Sequence, residues 1–324
     1  MTTRVERNNT FLCKARNFLL GREGKNGLIL NLGRYMVLTV IAFVFIYPIL
    51  NMLVLSISSS KDLMDVTVKW WPTSVTTQHL QHAAQALNYK SNVWMTIFLV
   101  SVCAVLQTNV TSLVGFGFAR YNFPGKRLLM GLMLLSYLLP SQATALSNYV
   151  LFQELALSDG TIKPFVITCL LGQGMNSGLC ILIFYSFHKQ THRSLLEAAE
   201  IDGASTLRTY LSIALPMAFA GIIIVSVFTV IWYWNDLYTV ETYIGYRNLT
   251  YDNENNLTTL MMQLARFDTA YEIRANNAIN SPDKLNQAKK MAAVLLTIAP
   301  LLLMYAVVQR WFVKSIDASG LTGE

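Results

Sequence analysis

Four neutral amides, Gln142, Asn148, Gln173 and Asn176, stand inside long apolar stretches. An amide both donates and accepts hydrogen bonds, so it can hold a ligand hydroxyl without burying a charge. A second polar island, Glu197-Ala198-Ala199-Glu200-Ile201-Asp202-Gly203-Ala204 followed by Ile213-Ala214-Leu215-Pro216, separates two apolar stretches. Its acids can pair with basic groups on another surface, and its small residues admit close approach. Metal chemistry is poorly served. His188 and His192 stand at i, i+4 but lack a Glu on the same turn, so an exposed face is expected rather than a zinc site. Cys103, Cys169 and Cys180 lie in apolar stretches without a CxxC and are expected as small buried residues. No GxxxxGK[ST] occurs: Gly21-Arg22-Glu23-Gly24-Lys25-Asn26 has the wrong spacing and no Ser or Thr. The chain is therefore not expected to hydrolyse ATP.

The elements that must carry these residues are membrane helices. Of 324 residues, 53% are hydrophobic and 13% charged, against about 25% charged in ordinary soluble domains. The apolar residues fall in blocks of about 18 or more, enough for a helix to cross about 30 Å of hydrocarbon. The blocks predict spans over Tyr35–Ile57, Val93–Phe116, Leu128–Phe152, Pro164–Phe187, Ile213–Tyr233 and Met291–Val313. The expected fold is an all-α polytopic membrane protein with six transmembrane helices. The net charge of +7 is not a nucleic-acid signal. Arg4, Arg7, Lys14, Arg16, Arg22, Lys25 and Arg34 precede the first span and place residues 1–34 in the cytoplasm by the positive-inside rule. Alternation puts Arg120, Lys126, Arg127, Lys189, Arg193, Arg208 and the tail 314–324 inside. Lys289 and Lys290 argue the other way and are overruled, because charges in a long loop bias topology weakly.

Two outer loops follow, 58–92 and 235–290. The first holds Trp70-Trp71-Pro72, expected at the membrane interface, and an amphipathic stretch His79–Leu87. The second holds a helical run, Leu257–Phe267, and two sequon-like triplets at Asn248 and Asn256. On the inner side, Ser194-Leu195-Leu196-Glu197 reads as a capping box that starts a helix at Leu195. Ala198 and Ala199 then offer a small-residue face, Gly203 ends the helix, Ser205 caps a second one, and Pro216 fits the first turn of the fifth span. Small and polar residues also recur at helical spacing, as in Ser101, Ala104, Thr108, Thr111 and Gly115. Close helix packing is the plainer reading of that stripe.

Glu197-Ala198-Ala199, Asp202-Gly203-Ala204, Ile213 and Leu215-Pro216 together resemble the EAA loop of ABC importer permeases. Ala119-Arg120-Tyr121-Asn122-Phe123-Pro124-Gly125-Lys126, Trp234-Asn235-Asp236 and Gln309-Arg310-Trp311-Phe312-Val313 narrow the resemblance to the MalG-like carbohydrate permeases. It runs from about Ser58 to the end. Ala220 stands where the family often has a second proline, the tail Ser315–Glu324 keeps only part of a Gly-rich ending, and the last outer loop is longer than usual. The resemblance implies the type I importer permease fold and a bacterial inner-membrane location. It implies a second permease, two ATPase subunits carrying the ATP and magnesium, an extracytoplasmic solute-binding protein and a carbohydrate; the four amides, by their own chemistry, are the expected path residues. It assigns 194–216 as the coupling loop, with Glu197, Ala198, Ala199, Asp202, Gly203, Ala204, Leu215 and Pro216 as the coupling residues. An importer of another solute, such as a polyol, phosphodiester or peptide, fits the same loop. An ion-driven carrier is disfavoured because no acid–base pair runs through the spans.

Overall fold

The computed structural model describes residues 21–22, 25–65, 67, 70–157, 161–245, 257–269 and 287–318. It divides into two units, 1–79 and 80–324. In the first, a short ladder pairs Gly21–Arg22 with Lys25–Asn26 ahead of α1, Leu28–Ile57. This 30-residue helix contains one buried residue, Ser56. Such all-round apolar exposure suits lipid or another subunit, not water. The loop after it folds back on itself. Thr76 N donates to Ile57 O at 2.8 Å, and Asp62 accepts from Ser74 N at 3.0 Å and from the Thr73 hydroxyl. Those hydrogen bonds, Thr73 first, hold the Asp62 carboxyl below its ordinary value of 3.8. Trp70 lies against Phe43 and Tyr47, with ring centroids 6.4 and 5.7 Å away.

The second unit is helical throughout its described residues. Its elements are α2 (Gln78–Ala86), α3 (Tyr89–Arg120), α4 (Lys126–Leu138), α5 (Ser141–Glu154), α6 (Lys163–Leu170) and α7 (Ser177–Gln190). After them come α8 (Arg193–Ile201), α9 (Thr206–Thr209), α10 (Phe219–Asn235), α11 (Leu260–Ala265) and α12 (Gln287–Ala318). α3 is the centre, flanked by α6, α7 and α10, and α12 packs on α10. Contact with α7 is close because Gly115 has no side chain: a Cβ there would stand 2.7 Å from Phe184 Cβ. The small-residue stripe on α3 thus serves packing at that position. The amphipathic α2 is present, burying Ala83 and Ala86 in a cluster with Leu87, Phe267, Ala292 and Ala293.

The six expected spans are not all single long helices. Among the described residues, three helices are long and apolar enough to cross a bilayer: α1, α3 and Gln287–Val313 of α12. The third expected span is a bent pair, α4 and α5, turned by 101° at Leu139-Pro140, where the ring removes an amide and Leu139 is pushed to extended backbone. The fifth is bent by 78° at Ala218, so α10 begins at Phe219. Pro216 sits before this kink, in the turn Leu215–Met217. The carbonyl its ring would crowd belongs to Ser212, and a π-helical stretch, Tyr210–Ala214, loosens the backbone there. The fourth is split into α6 and α7 by residues 171–176.

The described part of the second outer loop is anchored. Leu260 N donates to Thr96 Oγ1 at 2.9 Å, the Thr258 hydroxyl donates to Asn92, and Asn92 Nδ2 donates to Leu87 O at 2.7 Å. Lys290 pairs with Asp268 at 2.6 Å. Asn248 and Asn256 lie outside the described residues.

Candidate coupling segment and solute path

The polar island folds as a short lever with two faces. α8 starts at Arg193, not Leu195, and its N-cap, His192, makes no side-chain cap bond; the expected capping box at Ser194 does not form. Leu196 and Ala199 turn inward, and Leu196 joins Phe116, Tyr210 and Ala214 in a buried cluster. Ala199, grouped with the coupling residues in the sequence, has its small side chain buried within its own chain. Glu197, Ala198, Asp202 and Gly203 face outward, and Ala204 and Leu215 are half-buried. Gly203 ends the helix as expected, with φ +78°. Ala204 N donates to Ala199 O at 2.9 Å and Gly203 N to Glu200 O at 3.1 Å, which completes a Schellman motif. Ser205 Oγ accepts from Arg208 N at 3.4 Å and caps α9.

Sequence reasoning missed the apolar part of the outward face: Ile201 is 86% exposed and Leu207 60%. Ile201 at the penultimate turn, beside Asp202-Gly203, was the available signal. It also missed the attachment behind the lever. Arg120 Nη2, at the end of α3, lies 3.5 Å from Glu200 Oε1. The Tyr210 hydroxyl donates to Ser112 Oγ at 3.0 Å, and Ser112 Oγ is 3.2 Å from His188 Nε2. His188 is buried between Phe116, Phe184 and Tyr210, not on the exposed face expected of it, and His192 points outward. Among the described residues no cluster of metal-ligating side chains occurs.

The four amides separate. Gln173 and Asn176 lie exposed on the break between α6 and α7. Asn148 is half-buried and hydrogen-bonded to the Tyr243 side chain. Gln142 lies on α5, its side chain outside the described residues. The break itself is ordered by specific bonds. α6 ends at Gly172 (φ +69°), with Gln173 N donating to Thr168 O at 2.8 Å, and Asn176 takes the left-handed conformation before α7. Gln107 of α3 donates from Nε2 to Met175 O at 2.6 Å. Tyr233 of α10 accepts from Met175 N at 3.0 Å and donates to Gln107 Oε1 at 3.0 Å.

Residues 111–318 match the family described as the binding-protein-dependent transport system inner membrane component. The chain belongs to this family. It is therefore a membrane transport subunit and not an enzyme. The diacetylchitobiose uptake system permease protein DasC of Streptomyces coelicolor is 24% identical over 89% of this chain and 96% of its own length. The arabinooligosaccharides transport system permease protein AraQ of Halalkalibacterium halodurans is 23% identical over 87% and 93%. The osmoprotective compounds uptake permease protein GgtD of Synechocystis is 24% identical over 87% and 89%. Among solved structures, a bacterial ABC transporter involved in import of the acidic polysaccharide alginate has a chain that superposes with a TM-score of 0.64 at 17% identity, covering 88% of this chain and 96% of that one. The two share the importer permease fold.

Proposed function

We propose that this chain is one of two homologous permease subunits of a bacterial ATP-driven importer, and that it moves a carbohydrate, an oligosaccharide, delivered by an extracytoplasmic solute-binding protein. Two ATPase subunits holding ATP and magnesium drive it from the cytoplasm. The polypeptide crosses the inner membrane six times, three of the crossings bent or broken, with both termini inside. Residues 35–313 form the permease domain, and loops 58–92 and 235–290 lie outside, where the binding protein docks.

The observation that carries this reading is the two-faced lever. Leu196, Ala199 and Arg120 bind α8 to its own subunit, while Glu197, Ala198, Asp202 and Gly203, with Ile201, are presented outward. In this reading α8 seats in a cleft of an ATPase subunit. Ala204, Leu215 and Pro216 carry the seat's movement to the kink at Ala218. Differential contact between the two ATPase states is the physical requirement for moving the spans. The carbohydrate assignment draws on the relatives named for sugar uptake and on Gln173 and Asn176, neutral amides suited to hydroxyls. Gln142 and Asn148 complete the proposed path. The relative named for osmoprotective compounds favours a second reading, a smaller polyol-like solute of the same importer class.

Nothing lies within 4 Å of a Cβ built on Gly203, so a side chain there projects from the lever without collision inside the subunit. Gly203→Asp is expected to abolish uptake while the chain still inserts and accumulates, read by solute uptake and immunoblot of membranes. Wild-type uptake by that variant would sink the coupling assignment. Uptake of labelled oligosaccharides against a labelled polyol by the complete transporter separates the two solute readings.

A further inference from the structure

Neither half of the fourth apolar stretch crosses a bilayer alone. α6 has 8 residues and α7 has 14; at 1.5 Å per residue these are about 12 and 21 Å, against about 30 Å of hydrocarbon. In the six-crossing reading above the chain crosses here only by using both, which puts residues 171–176 inside the hydrocarbon layer. Non-helical backbone persists at such depth only where it is buried in protein or lines a water-filled cavity. One side of the break meets protein: Gln107 and Tyr233 grip both backbone polar groups of Met175. Gly174 is covered so closely that a Cβ would stand 2.4 Å from Gln107 Oε1 and 2.8 Å from the Tyr233 hydroxyl. Gln107 is fully buried, and each of its amide groups is used in the grip. The other side carries Gln173 and Asn176, both exposed. Two amides turned toward lipid would forfeit their hydrogen bonds at considerable cost; turned toward water they keep them.

We propose that Gln107 and Tyr233 are positioning residues that lock the break against α3 and α10. Locked there, Gln173 and Asn176 line the water-filled solute path and exchange hydrogen bonds with the hydroxyls of a neutral solute. The water-facing placement rests on the six-crossing reading above, and the naming of the solute on the importer reading.

The test uses the assembled transporter in membrane vesicles, with Gln173→Cys and Asn176→Cys introduced singly. The probe is a charged methanethiosulfonate reagent, which reacts with ionised thiols and hence in water. The unsubstituted chain gives the background, and Phe45→Cys on the exposed flank of α1 gives the non-aqueous reference. Both break positions should label at least about tenfold faster than Phe45→Cys, since thiolate forms far less readily in an apolar setting. Adding Tyr233→Phe, which removes one oxygen, should change both rates by about tenfold through loss of its bonds to Met175 and Gln107 and its contact with Cys169. Gln107→Leu should act in the same direction; if it prevents assembly, Tyr233→Phe decides. Labelling no faster than Phe45→Cys overturns the path placement. Rates indifferent to Tyr233→Phe overturn the positioning role. The labelling needs neither solute nor ATP, so a transporter that labels as expected yet imports nothing with its ATPases counts against the importer reading alone.

Discussion

Asp62 shows how one carboxylate can shape an outer loop. It accepts from Thr73 and Ser74 across eleven and twelve residues of chain, and those bonds favour its charged form. Because its value is lowered on folding, the staple is fully present above 3.8 and is lost only as pH falls through the lower folded value. Protease resistance of this loop in spheroplasts should therefore be unchanged between about pH 7 and pH 5. Asp62→Ala should remove the resistance at both. Equal resistance in the variant would show that the backbone bond at Thr76 suffices. Little of this was legible beforehand, because the partners lie far along the chain and no local pattern records them. His188 and His192 teach the same lesson from the opposite side. Their spacing is helical, but a helix ending between them turns one into an aromatic pocket and the other outward.

At the level of elements, α8 was legible where backbone chemistry is local and obscure where it is not. Gly203 had to end the helix, because the left-handed turn after Asp202 suits few other residues, and Ser205 had to cap the next. The start was misread because Ser194-Leu195-Leu196-Glu197 satisfies a capping pattern, yet burying Leu196 against Phe116 and Tyr210 is met by a helix entering two residues earlier. Ala198 and Ala199 looked equivalent and are not. In membranes lacking the ATPase, Ala198→Cys should react readily with a thiol reagent applied from the cytoplasm and Ala199→Cys should not. Assembly with the ATPase should then protect Ala198→Cys. Reversed reactivities would mean that α8 is rotated from the orientation described. The broken spans were missed for a different reason. Hydropathy averaged over a window is insensitive to six residues, and Gly172, Gly174 and Asn176, each visible, are tolerated in continuous membrane helices as well.

Considered whole, the second unit gathers its rigid contacts around α3, which meets α7 through Gly115, the break through Gln107, the outer element through Thr96, and the lever through Arg120 and Ser112. The two ends of this unit thus share one 32-residue helix. α1, by contrast, buries a single residue within its own chain and looks to lipid or a partner for contact. The chain reconstituted alone should give no uptake in proteoliposomes, and uptake should appear when the second permease, the ATPase and the binding protein are supplied with ATP. Import by the isolated chain would defeat the proposed assembly.

The grip on Met175 has a consequence for descent as well as for transport. A continuous helix fixes its residues through a ladder of backbone bonds that no single substitution can move. The segment 171–176 has turn bonds of its own but is fixed at Met175 by two side chains from neighbouring helices. A lineage can therefore shift what the amides reach by altering one codon, at position 107 or 233, while the surrounding bundle and its inner attachment stay as they were.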